Sequence, residues 1–115
     1  MQIITGRYKG YKIHTSTKIP YRPTKSIVRK SIFDKLQLFQ FHSVLDLFAG
    51  SGIMGFEAAS RGGNEITFIE KHPSAFIKLK KNAEQFVGTK FNYIRENVMT
   101  SVNRLGKYDL IFADP

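Results

Sequence analysis

DLFAGSG, residues 46–52, closes the short apolar run that begins at Val44, and it puts an acid, an aromatic, two glycines and a serine side by side. A carboxylate at the end of a buried strand is costly unless a cation or a hydrogen-bond donor meets it. Glycines in the next turn cost backbone entropy unless something must approach the backbone closely. A ligand at the end of the strand answers both. The stretch continues as Gly50-Ser51-Gly52-Ile53-Met54-Gly55, which matches G-x-G-x-x-G between a strand and a helix, and Glu70 ends the next strand twenty residues after Gly50. In that setting the glycines admit a ligand to a helix N-terminus, and the acid accepts hydrogen bonds from two ribose hydroxyls. The alternative is a tight strand–helix turn that binds nothing. Two cofactor classes use the layout, dinucleotides and S-adenosylmethionine. Asp46 separates them: its charge repels a pyrophosphate but suits a ligand carrying an ammonium and a sulfonium.

The flanking segments alternate strand and helix. VLDLF (44–48) reads as a strand, 53–61 as a helix ended by Gly62-Gly63, and EITFIE (65–70) as the next strand. Pro73 suits the first turn of a helix to Val87, with Phe76, Leu79, Ala83 and Phe86 on its buried face. FNYIRE (91–96) reads as a third strand, residues 99–105 as a short helix, and YDLIFADP (108–115) as a fourth strand. This order predicts an α/β fold, a parallel sheet covered by helices on both faces. The unbroken run Leu110–Ala113 suits a central strand buried on both sides. It therefore predicts further strands, supplied by a longer natural chain or by a partner. Ahead of the sheet, residues 2–15 read as a hairpin turning at Gly6–Gly10. Thr24 reads as the N-cap of a helix to about Leu38, with Val28, Ile32 and Leu36 on one face and Lys25 with Arg29 on another. Asn97, after the third strand, reads either as a turn asparagine or as a partner for an adenine edge. Phe48 reads as core in preference to a cofactor wall.

The 115 residues bound one domain, and 42% of them are hydrophobic, as expected of a soluble globular protein. The absence of cysteine excludes disulfides, thiolate zinc sites and cysteine nucleophiles. No stretch approaches the roughly 18 apolar residues of a membrane span, and no signal-peptide core follows the N-terminus. A cytoplasmic location is expected. Residues 1–43 hold nine Lys and Arg against one acid (Asp34), whereas residues 44–115 hold nine against eight. The excess thus lies in the N-terminal part, which points to an acidic partner, most simply a nucleic-acid backbone; a solvated basic surface is the plainer alternative. His14, His42 and His72 have no partner spacing, and no metal is expected.

Asp114-Pro115 ends the fourth strand, at the carboxyl edge where open α/β sheets bind ligands. Locally an acid before proline is a turn. Beside a methyl donor it gains a second reading. An exocyclic base amine is a poor nucleophile because its lone pair is delocalised into the ring. Hydrogen bonds from its N–H groups to the Asp114 carboxylate and the Pro115 carbonyl favour the attacking geometry.

Taken together, the chain resembles the RsmD family of bacterial 16S rRNA guanine-N2 methyltransferases, within the Rossmann-like class I S-adenosylmethionine fold. The resemblance rests on I-I-T-G-R-Y-K-G at 3–10, R-P-T at 22–24, V-R-K-S-I-F at 28–33, L-D-L-F-A-G-S-G-I-M-G-F-E-A at 45–58, N-V-M at 97–99 and D-P at 114–115. It implies that Asp46, Phe48, Gly50 and Gly52 line the amino-acid side of S-adenosylmethionine, that Glu70 holds the ribose, and that Asn97 with Val98 meets the adenine. Asp114 and Pro115 would be catalytic. Arg22, Pro23 and Thr24 would lie by the active site. RNA contacts are implied for Arg7, Lys9 and Lys12 of the hairpin and for Arg22, Thr24 and Arg29. The family's Asp-Pro is followed by a second proline and an aromatic, which this sequence does not contain. A division follows into an RNA-contacting extension, 1–43, and a cofactor-binding part, 44–115. The expected partner is 16S rRNA or the assembling small subunit, and the expected state a monomer. Three other functions remain open at this point: an adenine-N6 DNA methyltransferase, a non-catalytic RNA-binding module with a relic cofactor loop, and a nicotinamide dehydrogenase, which Asp46 opposes.

Overall fold

The computed structural model describes residues 1–15 and 24–114, so Arg22, Pro23 and Pro115 lie outside the described residues. Strands β1 (Ser43–Leu47), β2 (Glu65–Ile69), β3 (Lys90–Ile94) and β4 (Leu110–Ala113) form one sheet in the order β3-β2-β1-β4. Every pairing is parallel. Helices α1 (Ser26–Leu36), α2 (Ile53–Ser60), α3 (Pro73–Ala83) and the short α4 (Val98–Ser101), with a 3-10 turn at Val102–Arg104, make the connections. None of the helices is long and apolar enough to cross a membrane.

The period of two along each strand sorts side chains to opposite faces. Val44, Ile66, Phe68 and Phe112 enter the main core with Phe33 of α1, Phe56 of α2 and Leu79 of α3. Leu45, Leu47 and Ile69 turn the other way and meet Val98 of α4. Aromatic rings fill the main core: Phe56 stacks on Phe86 at 4.7 Å between centroids, and Tyr8 meets Phe86 edge-on at 5.0 Å. Gly55 permits the close seat of α2 on the sheet, since a Cβ there would run into Phe68 and Ile66.

The N-terminal segment is part of this core. Ile3, Tyr8 and Ile13 are buried in it. The expected hairpin forms as a short one, with a single antiparallel bridge, Gln2 with Lys12, and backbone bonds from the Ile3 amide to the Tyr11 carbonyl, the Gly10 amide to the Ile3 carbonyl and the Ile13 amide to the Met1 carbonyl. Several of its other polar groups turn to α2. The Ile4 and Thr5 amides donate to the two carboxylate oxygens of Glu57 at 2.9 and 3.2 Å. Ser60 Oγ donates to the Thr5 carbonyl at 2.7 Å and accepts from the Tyr8 amide at 2.9 Å. Glu57 is fully buried and also pairs with Arg61 Nε at 2.9 Å.

Several expected boundaries and faces are corrected. Lys25, not Thr24, occupies the N-cap position of α1, with no side-chain cap bond. The buried face of α1 carries Arg29 and Phe33, with Ile32 and Leu36 packed partly buried against the core as expected, while Val28 is exposed. Helix α3 ends at Ala83, yet Phe86 beyond it still enters the core. Strand β4 is not buried on both faces: among the described residues it is an edge strand, with Phe112 buried and Ile111 53% exposed.

Candidate functional site

Parallel strands put their carboxyl ends at one edge, and the acids of interest collect there. Asp46 is the fourth residue of β1, registered between Phe68 of β2 and Phe112 of β4. Glu70 directly follows β2, and Asp114 directly follows β4. Asp46 is buried, and its Oδ2 accepts the Gly55 amide of the first turn of α2 at 3.1 Å. Burial pushes its carboxyl up to about 8; the Gly55 amide opposes the rise, and the charges of Asp114 and Glu70 add to it. Glu70 Oε1 accepts the Gly50 amide and Oε2 the His72 amide, each at 2.8 Å. Among the described residues every ion pair lies elsewhere, and no group of acids or histidines converges closely enough to hold a metal ion. The edge therefore gathers three carboxyl groups, Asp46 and Glu70 met by backbone amides, with no cationic partner among the described residues.

The loop between β1 and α2 is held by contacts within the chain itself. Phe48 (φ 56), Gly50 (φ 57) and Gly52 (φ 80) are all left-handed. The Gly52 amide donates to the Ala49 carbonyl and the Ala49 amide to the Ile69 carbonyl. A Cβ on Gly52 would collide with Leu79 and Phe56. Gly52 thus has a packing role that accounts for it without a ligand. The left-handed turn carries the Phe48 ring out of the core, where it is 39% exposed; the core reading of this residue is corrected. Non-glycine residues with positive φ collect at functional sites, where surrounding structure holds the strain.

Other expected residues divide. Asn97 caps α4, its Oδ1 accepting from the Met99 amide at 2.8 Å, as a turn asparagine does. Val98 beside it is buried in the smaller core cluster, which leaves only its backbone to face a ligand. Thr24 reaches the carboxyl edge: its Oγ1 donates to Asp114 Oδ2 at 2.8 Å. No sequence spacing announces that pair. Arg29 is only 2% exposed, and its Nη2 donates to the Gln2 carbonyl at 3.2 Å. Burial lowers its pKa, with Glu57 opposing the shift. Buried in this way, Arg29 is not a surface contact for RNA, which corrects the expectation for that residue. Arg7, Lys9 and Lys12 are exposed but sit at the other end of the sheet. The Arg7 amide donates to the carbonyl of Ser60, the last residue of α2, and the neighbouring Tyr8 hydroxyl donates to the Val87 carbonyl just before β3. The structure thus joins Thr24 to Asp114 and separates the hairpin cations from both.

The family described as Conserved hypothetical protein 95 matches residues 1–115. The chain belongs to this family, the RsmD family. Ribosomal RNA small subunit methyltransferase D of Buchnera aphidicola subsp. Acyrthosiphon pisum is 37% identical over 98% of the chain and 61% of its own length. The protein of that name from Escherichia coli K12 is 31% identical over the whole chain and 59% of its own length. The solved yhhF protein of Escherichia coli superposes over the whole chain and 63% of its own, with a TM-score of 0.87 at 30% identity. The chain therefore spans about three-fifths of the length of these relatives, and its fold is part of a Rossmann-like class I methyltransferase fold.

Proposed function

We propose that the protein, at its natural length, methylates the exocyclic N2 of a guanine in 16S rRNA with S-adenosylmethionine as donor. One observation carries the reading: Asp46, Glu70 and Asp114 gather at the carboxyl edge beside the glycine loop, and none of them has a cationic partner among the described residues. Such an edge repels a pyrophosphate and attracts a cationic ligand. The donor set fits S-adenosylmethionine, whose ammonium and sulfonium are both cationic. When bound, that cofactor supplies an electrophilic methyl group.

The residues divide the work as follows. Asp46, Phe48, Gly50 and Gly52 line the amino-acid side of the cofactor. Glu70 accepts from the ribose hydroxyls with lone pairs left over from its two amide bonds. Asn97 and the Val98 backbone meet the adenine. Asp114 accepts a hydrogen bond from the guanine amine, and the Pro115 carbonyl accepts the other, so that the nitrogen lone pair is held toward the donor. The carboxylate also offsets the positive charge that develops on nitrogen. The cations Arg7, Lys9, Lys12 and Arg22 of the N-terminal part contact the RNA, which is 16S rRNA or the assembling small subunit, and the protein acts as a monomer. The names of the relatives support an rRNA substrate.

Titrating S-adenosylmethionine into the wild type and Asp46→Asn tests the cofactor. The amide keeps an oxygen for the Gly55 N–H but removes the charge, so affinity is expected to fall about tenfold or more. Equal affinity would overturn the assignment. Methyl acceptance by guanine in RNA, measured against adenine in DNA, tests the substrate.

A further inference from the structure

We propose that Thr24 is a positioning residue, whose hydroxyl holds one oxygen of Asp114 and so leaves the other turned to the acceptor amine. The inference rests on the function proposed above, in which Asp114 receives that amine.

The contact joins residues 90 positions apart, Thr24 Oγ1 donating to Asp114 Oδ2 at 2.8 Å. Two packed elements deliver it. Phe112 and Asp114 are two residues apart at the end of β4, so strand alternation sends both to the same face. On that face Phe33 of α1 packs against Phe112, with ring centroids 5.4 Å apart. Both rings are buried. Helix α1 is thereby fixed along β4, and the residues before its first turn come to the end of the strand. Thr24 is there, and its hydroxyl is not used on the helix, because Lys25 holds the N-cap position.

The bond has a specific task at this edge. Asp114 lies close enough to Asp46 for its charge to be felt there, and Glu70 acts on Asp46 in the same sense. An untethered aspartate at a strand end rotates away from like charges. A hydroxyl donor fixes the carboxylate plane and adds no charge, so the edge keeps its attraction for a cation. A lysine or arginine in this place would hold the carboxylate equally well but weaken that attraction. The second carboxylate oxygen, Oδ1, keeps its lone pairs for the N–H of the base.

The test uses Thr24→Val, Thr24→Ala and Thr24→Ser in the protein at its natural length, with Asp114→Asn alongside. Val keeps the shape without the hydroxyl, Ala serves if Val disturbs packing, and Ser restores the donor. Turnover of saturating RNA and cofactor is expected to fall about tenfold in Val and Ala, on the scale of one hydrogen bond to a charged group. KM for RNA and affinity for S-adenosylmethionine are expected to stay within about twofold, and Ser to recover most of kcat. Wild-type kcat in Val and Ala, or an equal loss in Ser, would overturn the inference. A raised KM for RNA with a shallower salt dependence and unchanged kcat would also overturn it, assigning Thr24 to the RNA contact. Full turnover in Asp114→Asn would instead sink the proposed role of Asp114. Loss in Asp114→Asn with none in the Thr24 variants would sink this inference alone.

Discussion

Asp46 holds a proton that the unfolded chain would not. Its carboxyl titrates at about 8 in the folded protein against an ordinary 3.8, chiefly through burial. Between those values the native state binds the extra proton, so stability falls as pH rises from about 4 to about 8. A cationic ligand favours the ionised form and reverses the preference. Affinity for S-adenosylmethionine is therefore expected to strengthen by up to about tenfold per pH unit from pH 6 to pH 8, then level off. Calorimetry in buffers of different ionisation enthalpy would register the released proton near pH 7. In Asp46→Asn both the melting-temperature slope and the proton release should lose this contribution. An acid in an apolar strand is visible without coordinates, so the question Asp46 poses is legible in the sequence. The amide that meets it, Gly55 N–H, was not visible, because it depends on how α2 sits on β1.

At the scale of elements, the alternation of apolar strands and amphipathic helices was enough to read a parallel sheet, because its pattern is local. The face a helix buries was less legible. Of residues 28, 32 and 36, the apolar stripe expected of α1, Ile32 and Leu36 pack against the core, but the core also takes Arg29 and Phe33 and leaves Val28 outside. Arg29 is drawn in by partners far along the chain, the Gln2 carbonyl and the charge of Glu57. Glu57 itself fastens the N-terminal segment to α2. Glu57→Ala would leave the Ile4 and Thr5 amides and the Arg61 guanidinium without their acceptor. It is expected to cost about 3–5 kcal/mol, the usual scale for breaking a buried ion pair. Chemical denaturation measures this. Hydrogen exchange should show that the amides of residues 4 and 5 lose protection first. A loss below about 1 kcal/mol would mean that Ile3, Tyr8 and Ile13 anchor the segment by burial alone.

Across the whole molecule, the N-terminal part reaches two separate regions. Thr24 stands at the carboxyl edge with Asp114, whereas Arg7 is tied to the carbonyl that ends α2. Helix α2 has eight residues, so about 12 Å of helix separates its two ends. RNA that presents a base at the carboxyl edge and also meets Arg7, Lys9 and Lys12 must run down the side of the molecule. Replacing those three by Ala is expected to weaken RNA binding and to reduce its salt slope by up to about two units. Turnover at saturating RNA should persist. An unchanged slope would take the hairpin out of the RNA path.

The same lacing of the N-terminal segment orders events at birth. Residues 1–15 leave the ribosome before the residues that receive them. Apart from Arg29, which follows Gln2 by 27 residues, the side chains and carbonyls that receive them follow between 52 and 81 residues later, from Glu57 to Thr89. At about 5–20 residues per second that is a delay of several seconds. Throughout it, Ile3, Tyr8 and Ile13 are bare, in a stretch dense with cationic side chains and next to the ribosome's own RNA. What is made early here can be folded only late.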